Sequence, residues 1–449
     1  MSREELCITI PLIPKDFAYE DYVSAVLNIG GYYLERGIHK RKGKDILELD
    51  IVTNKFSGSG VAKTISEIKS GGWGFPDIFK VRGWMDYLHF DKASFVVQVP
   101  DKNQGTYIQV SHELCIDLIV TEQNGETLSD ANLKKIYSIP TKAYNKAAIE
   151  NLRFSYALER KLTNDIHSTA KNTEGFLILR DYMFELMENT FFVSEPVDRL
   201  DRIFSLFSNH YHITSRLDQE RVTMSYENTS KDADISKSSF EELFYNHDKP
   251  NKLYGALYVE LQHRLSVLKY CVEDILMPEK EQNMAKIIDN IKHAELSSNI
   301  HSGIYELKKQ HYFYLYPYFW QIFIYLFGGF ILLDKKDEEY NLLADITGIP
   351  IQEIDNALSA FDILFPIAGS KWMKDVPHTQ IKILKFMPSP FCGIGVNFRK
   401  SIYCPNKKLE ELQQVTKYGH TYDELIRYNN LAYNYLKKSV DVILQKVER

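Results

Sequence analysis

The stretch "LELDIVTNKFSGSGVAKTISEIKSGG", residues 47–72, decides how the N-terminal part of this chain is read. "ILELDIV" (46–52) and "TISEIK" (64–69) both alternate apolar and polar residues, the period-two pattern of half-buried strands. In the first, Leu47, Leu49 and Ile51 point one way, and Glu48 and Asp50 the other. In the second, Glu67 and Lys69 share a face opposite Ile68. Paired, the two strands bring Asp50, Glu67 and Lys69 to one edge of a sheet while the aliphatic residues enter the core.

Around this pair the chain alternates helical and strand-like patterns. Val23, Val26, Leu27 and Leu34 recur at helical spacing over 18–35. Gly30-Gly31 allows close backbone approach there, and Glu35 of "GGYYLERG" falls at the end of this first helix. "FPDIFKVRGWMDYLH" (75–89) places Ile78, Val81, Met85 and Leu88 on one helical face. "SFVVQV" (94–99) and "CIDLIV" (115–120) read as further strands, and "TYIQVSHEL" between them fits either a strand or a helix. Residues 1–125 therefore predict an α/β (or α+β) domain with a small mixed sheet flanked by helices.

From about residue 145 long helical patterns dominate, such as "NLRFSYALERKL" and "LYGALYVELQHRLSVLKYCVEDIL". A mainly α-helical region over 146–305 carries one polar stretch, "SYENTSKDADISKSS" (225–239), that reads as an exposed loop. Further helices with a turn near Gly419 are expected over 401–449. Between them, 306–400 reads as a helix-turn-helix or winged-helix-like module. In "NLLADITGIPIQEIDNALSAFDI" (341–363), Ala344 is small where two helices would cross, Gly348 sits at the turn and Ile354 lies in the second helix. "QIKILKFMPSPFCGIGVNF" can supply the strands of a wing. The second helix carries Glu353, Asp355 and Asp362 with no Lys or Arg. Recognition helices meet phosphates and base edges with cationic or amide groups, so packing or protein contacts are the favoured role.

Two carboxylates and a lysine on adjacent strands suit phosphodiester hydrolysis. Mg²⁺ prefers oxygen ligands and keeps several waters. It can polarise a scissile phosphate and acidify a bound water. Lys69 can orient or help deprotonate that water. The less favoured alternative is a set of surface charges on an edge-exposed sheet.

The sequence here resembles the PD-(D/E)xK nuclease superfamily, the restriction-endonuclease-like fold. The residues that carry the likeness are Asp50, then Glu67-Ile68-Lys69, with Glu35 as the first-helix acid. The pattern looks most like the Mrr-type branch and the nuclease domains of CRISPR ancillary proteins. The resemblance implies that Asp50 and Glu67 are metal ligands, with the Ile68 carbonyl as another. It makes Lys69 the catalytic lysine and Glu35 an accessory ligand or water-positioner. It covers roughly the first 125 residues; no proline precedes Asp50, and Ser66 stands where a small or apolar residue is usual. It implies a Mg²⁺-dependent endonuclease (Mn²⁺ as a substitute) acting on nucleic acid, with DNA as the expected substrate. It also implies a role in restriction or anti-phage defence, with a homodimer or a defence-system protein as partner. The rival reading is a non-catalytic nucleic-acid-binding or scaffold protein that keeps the fold.

Bulk properties set the frame. The chain has 449 residues, 44% of them hydrophobic, and a net charge of −6. No global basic field advertises nucleic acid, so any polyanion site is a local patch. "RGIHKRKGK" (36–44), with Arg36, Lys40, Arg41, Lys42 and Lys44, is the candidate: a phosphate-holding loop or a solvated one. "SGGWGF" (70–75) lacks the spacing of a P-loop and reads as a turn at the site rim. There Trp73 either packs or stacks on a base, and packing is favoured. "SNHYH" (208–212) sets His210 and His212 two apart without a third ligand, which reads as structural. The five cysteines (Cys7, Cys115, Cys271, Cys392, Cys404) form no C-x-x-C pair, pointing to a reducing cytoplasm without structural zinc. The opening "MSREELCITIPLIPKD" lacks a signal-peptide pattern. "HYFYLYPYFWQIFIYLFGGFILL" (311–333) has the length of a membrane span, yet its tyrosines, Pro317 and Gln321 favour a buried core helix.

Overall fold

The structure is a computed structural model. It describes residues 10–41, 45–124, 127–140, 145–169, parts of 262–276, 302–332, 335–364, 381–383 and 398. The chain divides into two compact units, one holding Ile8–Ala157 and the other Leu158–Val396, and each is described by itself.

The first unit begins with α1 (Phe17–Ile29) and continues through β1 (Tyr33–Arg41), β2 (Asp45–Ser57) and β3 (Gly60–Lys69). Then come α2 (Phe75–Leu88), β4 (Ala93–Val97), α3 (Gln104–Glu113) and β5 (Ile116–Val120). A short hairpin of β6 (Glu122–Asn124) and β7 (Thr127–Ser129) follows, then α4 (Ala131–Ile136) and α5 (Asn145–Thr169). The five long strands form one mixed sheet in sequence order, antiparallel from β1 to β3 and parallel from β3 to β5. "TYIQVSHEL" falls largely in α3. Parallel neighbours need a crossover rather than a tight turn, and α3 makes the link from β4 to β5.

The first helix ends earlier than the spacing of Leu34 suggests. Gly30 caps it, Gly31 takes φ 95°, and Asn28 Nδ2 donates to the Tyr32 carbonyl at 2.9 Å to close the turn. Only glycine takes that positive φ at no steric cost. Leu34 and Glu35 therefore lie on β1, where Glu35 stands opposite Val52, and Glu35 is not the first-helix acid. The same register corrects the basic loop: Arg36 to Arg41 are strand, while Lys42 and Lys44 lie outside the described residues.

Strand alternation sorts the helices into layers. Arg36, Ile51, Ser66 and Ser94 are successive cross-strand partners on one face. There Arg36 bonds Asp21 (2.6 Å) and Ser24 (3.0 Å) of α1, and its guanidinium lies over the Tyr156 ring of α5. Ser66 and Ser94 meet Tyr137, just past α4. The opposite face carries Asp50, Glu67, Lys69 and Phe95, and is met by α2 and by Trp73 before it. Val23, Leu49, Ile51, Val52, Ile65, Phe95 and Ile119 are fully buried within these layers. Each such side chain contributes about 1.5–3 kcal/mol of burial free energy.

In the second unit the 311–333 segment forms a short 3-10 turn and α6 (Tyr316–Tyr325), whose ten residues are all buried. Gly328 and Gly329, both at positive φ, turn the chain into β8 (Phe330–Leu332). Among the described residues no helix is long and apolar enough to cross a membrane. α7 (Lys336–Thr347) ends at Gly348, and α8 (Ile354–Leu364) follows after a 3-10 turn. Trp320 of α6 donates to the Ala357 carbonyl of α8 at 2.9 Å. β9 (Ile381–Ile383), from the expected wing stretch, pairs antiparallel with β8. His210, His212, the 225–239 stretch and the tail from 407 lie outside the described residues.

Candidate metal and nucleic-acid site

The β2–β3 ladder runs from Ser57↔Gly60 to Ile51↔Ser66 and stops. One residue beyond that last pair lie Asp50 on β2 and Glu67 on β3. From there β3 continues beside β4 alone, as far as Lys69↔Val97. A backbone N–H turned toward the missing strand must find another acceptor. Ile68 finds it in Asp50, whose Oδ2 accepts its N–H at 2.7 Å. The end of the ladder thus draws the Asp50 carboxylate in beside Glu67, within hydrogen-bonding reach of it.

Two acids so placed resist ionising together. Burial, then the Glu67 charge, then Glu20 on the first turn of α1, hold the Asp50 carboxyl well above the usual carboxylate range. Burial raises Glu67 as well, while the Lys80 hydrogen bond and the charges of Lys80 and Lys69 pull it down. The pair binds a proton more tightly than either acid would in water.

α2 supplies the cations' settings. Lys80 Nζ lies 3.0 Å from Glu67 Oε1 and 4.2 Å from the Trp84 ring centroid. Lys69 is paired with Asp77. Asp77 Oδ2 also accepts the Gly74 N–H at 2.9 Å, which caps α2. Burial pushes the Asp77 carboxyl up, but these two bonds prevail and hold it below its ordinary value.

Asp50, Glu67 and Lys69 therefore come together as the alternation predicts. Glu35 does not join them: its Oε2 accepts from Asn54 Nδ2 at 3.0 Å, four residues from Asp50 along the same face of β2. The α1 acid whose charge acts on Asp50 is Glu20. Lys40 and Arg41 sit on β1 toward its hairpin end, with Lys40 opposite Leu47, three residues from Asp50. At about 3.4 Å per residue that is roughly 10 Å along the strand. Trp73 is a packed residue: its Nε1 donates to the Val99 carbonyl at 2.7 Å, and it meets Phe95 and Tyr107 edge-on. Sequence reading missed Asp77, Lys80 and Glu20. The signal for the first two was their i,i+3 spacing along the flank of α2 beside Ile78, Val81 and Met85, with Asp77 three residues after a glycine cap.

The donor set fits a hard divalent cation in outline. Among the described residues no group of three or more His, Cys, Asp or Glu side chains is placed to hold a metal ion. The chain offers two carboxylates, and a magnesium ion commonly takes only one or two from the protein. Cys115 and Cys271, the described cysteines, are free thiols. Comparison with known proteins returns no matching family model, no matching curated protein and no matching solved structure.

Proposed function

We propose that the first unit is a Mg²⁺-dependent nuclease that hydrolyses phosphodiester bonds, with DNA as its substrate. The observation that supports this reading is the adjacency of Asp50 and Glu67 at the end of the β2–β3 ladder. Burial and the Glu67 charge raise the proton affinity of Asp50, and a cation bound there would take the proton's place.

Asp50 and Glu67 hold the cation in this reading, and the Ile68 carbonyl between Glu67 and Lys69 is the remaining candidate ligand. A Mg²⁺ ion held there would supply polarisation of the scissile phosphate and a more acidic bound water. Lys69 orients that water and offsets charge on the phosphoryl oxygens, while Asp77 positions Lys69 without touching the reacting atoms. The β1–β2 hairpin, with Lys40 and Arg41 on β1 and Lys42 and Lys44 beyond it, carries the phosphate-binding charge. The α7–α8 pair serves partner contacts rather than base reading. The first turn of α8 carries the acidic Asp355, which accepts from Tyr340 Oη at 2.7 Å.

The second reading, a nuclease fold working only by binding, is favoured by one feature: Lys80 already neutralises Glu67. Purified chain incubated with plasmid in Mg²⁺ and in EDTA separates the two. Cleavage in Mg²⁺ alone, lost in Asp50→Asn, supports the nuclease. Intact plasmid in both conditions, with DNA still bound, supports the second.

A further inference from the structure

Two lysines reach the acid pair, and they are held differently. Lys69 stays on Asp77, a carboxylate that also caps α2 through the Gly74 N–H, so the fold sets its position. Lys80 comes in from solvent. Its side chain is 47% exposed, against 6% for the Glu67 side chain that it meets at 3.0 Å. The Trp84 ring, one helical turn further along α2, lies 4.2 Å from the same ammonium. An aromatic face attracts a cation at that distance. Lys80 therefore has a second resting place that requires no movement of the helix.

The oxygen that Lys80 holds is one that a divalent cation needs. A magnesium–oxygen bond is about 2.1 Å long, so with both cations on Glu67 Oε1 at most about 5 Å would separate them. That is inside the Debye length of about 8 Å at physiological salt, and the repulsion is little screened. The ammonium, with one charge against two, is the one to give way.

We infer that Lys80 is a displaceable counter-ion: it occupies Glu67 while the cation site is empty and, once released, contacts the phosphodiester backbone of the nucleic acid. The inference rests on the metal-site reading of Asp50 and Glu67 and adds a coupling to it. Freed from Glu67, the ammonium keeps its place beside Trp84 at the mouth of the site, as a point charge suited to a phosphate. Divalent cation and nucleic acid then each favour the binding of the other, because both gain from the same lysine leaving Glu67. Lys69 cannot serve this way while Asp77 holds it.

Two binding measurements on the full-length chain at one pH test it. Titration calorimetry with Mg²⁺ should give Lys80→Gln a dissociation constant about two- to fivefold below that of the parent, the scale of a half-exposed ion pair. Lys80→Arg keeps a partner for Glu67, grips it with two bonds, and should shift the constant the other way by a similar factor. Binding of a fluorescent DNA duplex is then followed as salt rises, in EDTA and in Ca²⁺, another oxygen-seeking cation. In EDTA the parent and Lys80→Gln should share one salt slope. In Ca²⁺ the parent should be steeper by about one, the mark of one added phosphate contact, and Lys80→Arg should keep that gain. Lys92→Gln, which removes an exposed lysine paired with Asp117, should keep it too. Equal Mg²⁺ constants for parent, Lys80→Gln and Lys80→Arg overturn the inference and leave the metal site standing. Parent and Lys80→Gln slopes that coincide in Ca²⁺ overturn it as well. No Mg²⁺ binding to any of these proteins overturns the metal site and the inference together.

Discussion

Ser66 and Glu67 are neighbours on β3, and alternation sends them to opposite faces into opposite situations. On one face Ser66, Ser94 and Tyr137 place three hydroxyls together, at 2.9, 3.0 and 2.5 Å. All three residues are buried, and burial pushes the Tyr137 hydroxyl up to about 12, so it keeps its proton. Each hydroxyl can donate and accept, and the group satisfies itself. On the other face Asp50 and Glu67 are acceptors once ionised, and neither can satisfy its neighbour without a proton or a cation between them. A polar cluster built of hydroxyls completes a fold; one built of like charges asks for a third party.

Several substitutions break or sharpen that contrast. The largest effect belongs to Lys69→Ala, expected to lower Mg²⁺-dependent plasmid cleavage by about 10²–10⁴ with unchanged circular dichroism. Cutting at the parental rate would remove this lysine from the chemistry. Next, Mg²⁺ or Mn²⁺ at a hundredfold excess over its dissociation constant should stabilise the metal-free chain by about 2.7 kcal/mol in a melting experiment. Asp50→Asn should abolish that shift. On the opposite face, Tyr137→Phe leaves two serine hydroxyls short of a partner and should cost about 1–2 kcal/mol, without altering the metal-induced shift. The smallest effect is the most diagnostic. Both acids hold their protons more tightly folded than unfolded, so their contribution to stability is present at low pH and is lost as pH rises through the raised values. Asp50→Asn should therefore stabilise the metal-free chain by about 1 kcal/mol at neutral pH. Melting curves toward pH 4 should show that gain shrinking away.

What the sequence made legible followed from period. The apolar alternation of β2 and β3 located both strands and set Asp50 and Glu67 on one face, and the i,i+3,i+7 pattern of Ile78, Val81 and Met85 located α2. Leu34 misled because it is apolar at helical spacing and is buried, but on β1. The stop signal was Gly30-Gly31, and it outweighed a single matching leucine. The end of the β2–β3 ladder left no trace in period, since both strands continue past it as strand. Asp77 and Lys80 carried no distinguishing pattern, and only the packing of α2 on the sheet brings them to Lys69 and Glu67 of β3. The resemblance carried the assignment of roles, and nothing in the comparisons adds to it.

One small clasp governs the field at the acids. Ser70, directly after Lys69, bonds the backbone N–H of Asp16 at 2.7 Å and its carboxylate at 3.2 Å, where the chain enters α1. Asp16 adopts φ 49°, an unfavourable posture for a residue with a side chain, and the clasp holds it there. Glu20 is one turn further along that helix. A change at position 16 or 70 would thus move Glu20 relative to Asp50 and alter how firmly that carboxyl keeps its proton.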